Sequence, residues 1–148
     1  MEDRNSVIFL LKHIDQQVKA GIDAQLKEHG LTLSQSMVIF RLHQSGGCLS
    51  QKELQKQLRV SHPTIVGLVK RLEKGGYVRC ETDQNDQRYR LVYLTEAAES
   101  FTKEQEAQRE KNISRMTDGL SDEEITELFR MLNIINENVS NDRKDKQL

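Results

Sequence analysis

Residues 50–94, SQKELQKQLRVSHPTIVGLVKRLEKGGYVRCETDQNDQRYRLVYL, have little freedom in how they can fold. Ser50-Gln-Lys-Glu53 is a capping box, in which a hydroxyl and a carboxylate satisfy backbone donors at a helix start. It opens a short helix with Leu54 and Leu58 inward, and Arg59-Val60 makes the turn that follows. Ser61 caps a second helix. The chain's only proline, Pro63, falls in that helix's first turn, where a missing N–H costs nothing. Ile65, Leu68, Val69 and Leu72 recur at helical spacing as a buried stripe, and Gly75-Gly76 ends the segment. Residues 77–82 and 89–94 then alternate with period two and carry β-branched and aromatic side chains, which predicts two strands. Between them, the polar run of residues 83–88 is too long for a two-residue turn and is expected to project as a flexible loop. The order is a helix-turn-helix with a β-hairpin behind it.

The flanks read as helices. Val7, Leu11, Ile14, Val18, Ile22 and Leu26 form a one-sided stripe over residues 5–29, closed by Gly30. Such a stripe needs cover from its own chain or from a partner subunit. Thr32-Leu-Ser-Gln35 is another capping box, opening a helix whose apolar residues are Met37, Val38, Phe40 and Leu42, with Gly46-Gly47 as its stop. Cys48-Leu49 fits a brief strand. Thr95 is expected to cap a weakly amphipathic helix over residues 96–117, where Ala97, Ala98, Phe101, Ile113 and Met116 are separated by KEQEAQREKN. Ser121-Asp-Glu-Glu124 opens a last helix with Ile125, Leu128, Phe129, Leu132, Ile135 and Val139 on one face. Residues 141–148 read as a disordered tail.

The expected fold is mainly α with a small β-hairpin wing. Residues 31–95 form a winged helix-turn-helix, and residues 1–30 with 96–140 form a helical dimerisation region. At 148 residues the chain has the size of one domain, and its 30% charged content suits long helices with solvated faces or a dimer. No run approaches the roughly eighteen apolar residues of a membrane span, and the start MEDRNS lacks the basic-then-apolar layout of a signal peptide, so a cytoplasmic protein without membrane contact is expected. Cys48 and Cys80 do not form a CxxC pair and read as small buried hydrophobes.

Charge is where function first shows. The net charge is −1, yet residues 50–94 hold nine basic against five acidic residues, a local +4. A basic middle between acidic flanks is the footprint of a segment that alone meets phosphate. A helix entering a major groove needs short or polar residues at its positive N-terminal end, and His62, Pro63 and Thr64 fit, with Lys70 and Arg71 further along for the backbone. An ordinary helix pair with a solvated basic face would carry the same residues. The hairpin loop adds Asp86 two residues before Arg88, where the pair can hold the arginine extended. A narrow minor groove attracts such an arginine, although a surface ion pair without consequence would look the same.

Taken together, Leu31-Thr-x-x-Gln35, Leu54, residues 61–71, the run LEKGGYV at residues 72–78, Asp83-x-x-Asp86-x-Arg88 and Leu94-Thr95 resemble the MarR family of bacterial transcriptional regulators, which are dimeric winged-helix proteins. The resemblance implies a homodimer that binds a pseudo-palindromic operator in double-stranded DNA, as a repressor released by an effector. It makes Ser61, His62, Pro63, Thr64 and Lys70 groove or phosphate contacts and Arg88, held by Asp86, the wing contact. Gly67 and Gln87 stand where the family often has larger or basic residues, which predicts modest affinity. The resemblance also implies a small lipophilic or phenolic ligand between the helical region and the winged module, although no residue identifies its site. A metal- or redox-responsive regulator of the same fold is the nearest alternative. Against it, the first helix has no cysteine, the fifth has no histidine, and His13, His29 and His43 share no ligand spacing. No metal site or cofactor is therefore expected. No phosphate loop, nucleophile elbow or HExxH motif occurs, so an enzyme is not expected. A winged helix used as a protein-interaction module is the other reading; the net acidic charge favours it and the basic middle opposes it.

Overall fold

The computed structural model describes residues 4–145. Six helices and three strands follow one another as α1 (Arg4–Glu28), α2 (Leu33–Gln44), β1 (Cys48–Ser50), α3 (Gln51–Leu58), α4 (His62–Lys74), β2 (Val78–Thr82), β3 (Arg90–Leu94), α5 (Glu96–Met116) and α6 (Asp122–Asp145). The strands form one antiparallel sheet in the order β1-β3-β2. Cys48 pairs with Tyr93 on one side of β3, and Cys80 pairs with Val92 on the other. The mainly helical winged fold expected from the sequence is the fold observed. The described residues divide into two compact units, at the boundary between residues 104 and 105.

Most helix starts are built as their sequences specify. At α2, Thr32 Oγ1 accepts from the Gln35 N–H (3.3 Å) while Gln35 Oε1 accepts from the Thr32 N–H (2.9 Å). The box at α6 is equally complete, with the Ser121 N–H donating to Glu124 (2.8 Å) and the Glu124 N–H to Ser121 Oγ (3.2 Å). The box at α3 is half formed. Ser50 Oγ accepts from the Glu53 N–H at 3.1 Å, but the Glu53 carboxylate accepts from Gln57 instead of turning back. Ser50 closes β1 as well as capping α3, and its pairing with Leu91 ties it into the sheet.

Gly76 shows how one residue reverses the chain. With φ +79 it takes a conformation that L side chains disfavour, and the Tyr77 N–H then reaches Leu72 O (2.9 Å) while its own N–H reaches Glu73 O (3.1 Å). The chain leaves α4 directly into β2. Arg59 does the equivalent work between α3 and α4 at φ 53, a geometry that costs a non-glycine residue roughly 1–2 kcal/mol.

The core unites α2, α3, α4 and the sheet: Val38, Ile39, Leu42, Leu54, Ile65, Leu68, Val69, Leu72, Val78 and Val92 are all buried. In α2 the buried residues are Val38, Ile39 and Leu42, whereas Met37 and Phe40, expected among its apolar contacts, are exposed. The core also takes Leu26 from α1 and Ala98 and Phe101 from α5, which lie outside residues 31–95. At that junction the Tyr77 hydroxyl donates to His29 O (3.1 Å), and the Phe101 ring meets His29 and Tyr77 edge-on. Thr95 Oγ1 donates to Gly76 O (2.6 Å) and accepts from the Ala98 N–H (3.4 Å), so it latches the wing base and caps α5 together.

One expectation is corrected at the C-terminus. Residues 141–145, read as part of a disordered tail, continue α6, whose backbone bonds carry on through this polar segment; residues 146–148 of that tail lie outside the described residues. No described helix is long and apolar enough to cross a membrane.

Leu54 is completely buried at the meeting of α3 and α4. Leu54→Ala should lower unfolding stability by about 2–5 kcal/mol, read as a fall in the urea midpoint.

Candidate nucleic-acid interface

The buried stripe of α4 decides which residues face out. At 100° per residue, Ile65, Leu68, Val69 and Leu72 share one side, and the opposite side carries Pro63, Gly67, Lys70 and Lys74. Ser61, His62, Pro63, Thr64 and Lys70 are all exposed, and the first turn carries no acid to offset the helix's positive end. Ser61 Oγ accepts from the Thr64 N–H at 3.3 Å, and the two hydroxyls lie 2.8 Å apart. One hydroxyl hydrogen is spent on that pair, leaving the other for an outside acceptor.

Gly67 is not required by packing. A Cβ there would meet only the Arg71 guanidinium, at 3.8 Å. The position is half-buried beside the Arg71 guanidinium, next to Val66, which is exposed.

The wing presents Arg88 differently. Its Nε donates to Asp86 Oδ1 (3.0 Å), its Nη2 to Oδ2 (2.8 Å), and its backbone N–H to Oδ1 (3.1 Å). This fork fixes the guanidinium while leaving the side chain 87% exposed. The loop expected to be flexible carries bonds of its own: the Asp83 N–H donates to Tyr89 O (2.9 Å), the Tyr89 N–H to Asp86 O (3.0 Å), and the Asn85 N–H to Asp83 Oδ1 (2.9 Å). Acid-to-base spacing in the sequence pointed to the Asp86–Arg88 pair, and the geometry brings the two together.

The basic residues of this segment fall into two sets. The wing arginines each meet a carboxylate: Arg79 with Glu81, Arg88 with Asp86, and Arg90 with Glu73 at 3.3 Å. No ion pair joins Lys70, Arg71 or Lys74 of α4 to another described residue. Two contacts had no sequence signal because they join separate elements. Lys52 lies over the Tyr89 ring at 5.9 Å, and the Arg79 guanidinium stacks on Tyr93 at 4.2 Å.

Cys48 and Cys80 are half-buried free thiols, more open than the buried hydrophobes expected. Burial pushes the Cys80 thiol above its ordinary value, although the Arg90 guanidinium pulls the other way. Among the described residues, no group of three or more His, Cys, Asp or Glu side chains is placed to hold a metal ion.

Hydrogen bonds from the Arg88 side chain and backbone hold the Asp86 carboxyl below the ordinary aspartate value. A depressed carboxyl favours the paired form above the ordinary aspartate range and loses that preference as pH falls through the lowered value. The Asp86 midpoint in a carboxyl-carbon NMR titration should rise toward the ordinary aspartate range in Arg88→Ala, which removes the side-chain bonds and keeps the backbone one. A midpoint unmoved by that change would contradict the fork.

The model of the MarR family matches residues 29–88. Among solved structures, YusO from Bacillus subtilis superposes with a TM-score of 0.80 at 19% identity, covering 90% of this chain and 94% of that one. FabT from Streptococcus pneumoniae, solved in complex with DNA, gives 0.79 at 18% identity over 94% and 99% of the two chains. MepR from S. aureus, also solved with DNA, gives 0.74 at 22% identity over 88% and 98%. Members of the MarR family are transcription regulators rather than enzymes. Residues 29–88 thus match the MarR-family model, and the chain as a whole has the winged-helix fold of these solved structures.

Proposed function

We propose that this chain is a homodimeric transcriptional repressor that binds a pseudo-palindromic operator and is released by a small lipophilic or phenolic effector. The observation that carries the DNA reading is the exposed Arg88 held in a fork by Asp86, on the same winged unit as the exposed Lys70 of α4. The DNA complexes of FabT and MepR, which share the fold, support it. In this reading α4 lies in the major groove, with Ser61, His62, Pro63 and Thr64 near base edges and Lys70 on phosphate. Arg88 enters the adjacent minor groove, where a compressed groove raises the negative potential.

Two copies would place two such helices about one turn of DNA apart, roughly 10 bp. Residues 1–30 and 96–140 supply the dimer contacts, and residues 31–95 bind DNA. Large apolar side chains left in water support that division: Phe9 is 72% exposed on α1, and Phe129 is 69% exposed on α6. An effector acts by binding unequally to the DNA-competent and released arrangements of the dimer, since only a difference in affinity shifts such an equilibrium.

A footprint on the promoter of the protein's own gene, or of a neighbouring one, tests the DNA reading directly. A protected palindrome supports it; no protection anywhere, with capture of a partner protein instead, would favour the interaction-module alternative. On a protected duplex, Arg88→Ala and Lys70→Ala should each weaken binding and reduce the salt dependence of log K by about one unit. Undiminished binding by Arg88→Ala would remove the wing from the interface. Phe129→Glu should raise the dimer dissociation constant at least about tenfold in light scattering, as expected for loss of a buried aromatic anchor. A wild-type chain that stays monomeric at working concentration would overturn the dimer.

A further inference from the structure

Glu73 lies in the last turn of α4, outside the residues assigned to the DNA contact, and it is exposed. Its carboxylate nevertheless touches both strands of the wing. Oε2 accepts from the Cys80 backbone N–H on β2 at 3.1 Å, and Oε1 accepts from Arg90 Nη2 on β3 at 3.3 Å. Cys80 and Arg90 lie near one another across the β2–β3 ladder, where Cys80 pairs with Val92 and Thr82 with Arg90. One side chain of α4 thus holds β2 at mid-strand and β3 where it leaves the tip loop that carries Arg88.

We propose that Glu73 is a positioning residue for DNA binding: it sets the angle of the wing on α4, so that Arg88 reaches the minor groove in register with a helix seated in the major groove. The inference rests on the reading of Arg88 as a DNA contact. Three properties of the cluster support it. The carboxylate bridges two strands rather than one, so it resists both rotation and splaying of the hairpin. Its ion pair consumes the charge of Arg90, which would otherwise compete with Arg88 for phosphate. And the tie from α3 to the wing, Lys52 over the Tyr89 ring at 5.9 Å, is a looser contact than either Glu73 bond.

The test must separate position from charge, because removing any carboxylate near DNA favours binding by itself. Glu73→Gln and Glu73→Ala remove the same charge, but glutamine keeps an oxygen that accepts from the Cys80 N–H. Both are compared with Arg88→Ala and with the Glu73→Ala/Arg88→Ala double variant, on a duplex selected by the wild-type protein from a randomised pool. The expected result is that Glu73→Ala binds several-fold more weakly than Glu73→Gln. Arg88→Ala, costing about tenfold in the wild-type background, should cost less than about threefold once Glu73 is alanine, the coupling expected of residues that act through one element. Hydroxyl-radical protection in the minor groove should be lost in Glu73→Ala while guanine N7 protection in the major groove remains. A merely structural residue would lower both together. Equal affinities for the Ala and Gln variants, or additive effects of Glu73 and Arg88, would overturn the positioning role while leaving Arg88 as a contact. No effect of Arg88→Ala in any background would overturn the wing reading itself, and with it this inference. Melting temperature and helical circular dichroism of each variant establish that the fold is retained.

Discussion

The four side chains Ile65, Leu68, Val69 and Leu72 must leave water, and much of the winged unit follows from how they do so. Each contributes roughly 1.5–3 kcal/mol when fully buried, and no single neighbouring element is wide enough to cover the stripe. Leu54 covers it from α3, Val38, Ile39 and Leu42 from α2, and Val78 from β2. Once α4 is fixed on that core, its opposite side is presented to solvent whatever residues it holds. The side bearing Pro63, Gly67, Lys70 and Lys74 is exposed as a consequence of packing. A rigid helix with a free outward face is therefore a by-product of a well-filled core.

Electrostatics then divides the work between helix and wing. The lysines of α4 have no ion partner among the described residues, which leaves them mobile point charges suited to phosphate, where geometry matters little. The wing arginines are each held by a carboxylate, which lowers their net charge but fixes their direction. Exposed pairs of this kind add little stability, about 0–1 kcal/mol each, so their effect is on orientation. The net charge of −1 is compatible with a basic interface because screening limits the reach of distant acids to about 8 Å at physiological salt.

The base of the wing is also where other elements converge. Tyr77, the residue between α4 and β2, bonds the backbone at the end of α1 and packs on Phe101 of α5, and Thr95 holds Gly76 from the far side of the hairpin. These contacts tie the end of α1 and the start of α5 to the point from which the wing springs. Contacts of this kind span tens of residues in sequence, 48 in the case of Tyr77 and His29.

What the sequence determined by itself was everything set by local rules. Helix starts at Thr32, Ser61 and Ser121, the proline in the first turn of α4, the glycine reversal at Gly76 and the alternation of the two strands all depend on residues a few positions apart, and all form as their spacing specifies. The Asp86–Arg88 fork was legible for the same reason. The failures share the opposite property. Glu53 abandons its half of a capping box for Gln57, Ile39 rather than Phe40 enters the core, and the polar end of α6 stays helical, each a choice among locally acceptable alternatives. Glu73 is the clearest case: read along α4 it is one more solvated acid, and only the return of the hairpin brings Cys80 and Arg90 against it. Local spacing determined the parts and the face that α4 turns outward. The tertiary structure alone decided how the wing is held to that helix, because hydrogen bonds between distant segments have no period in the sequence.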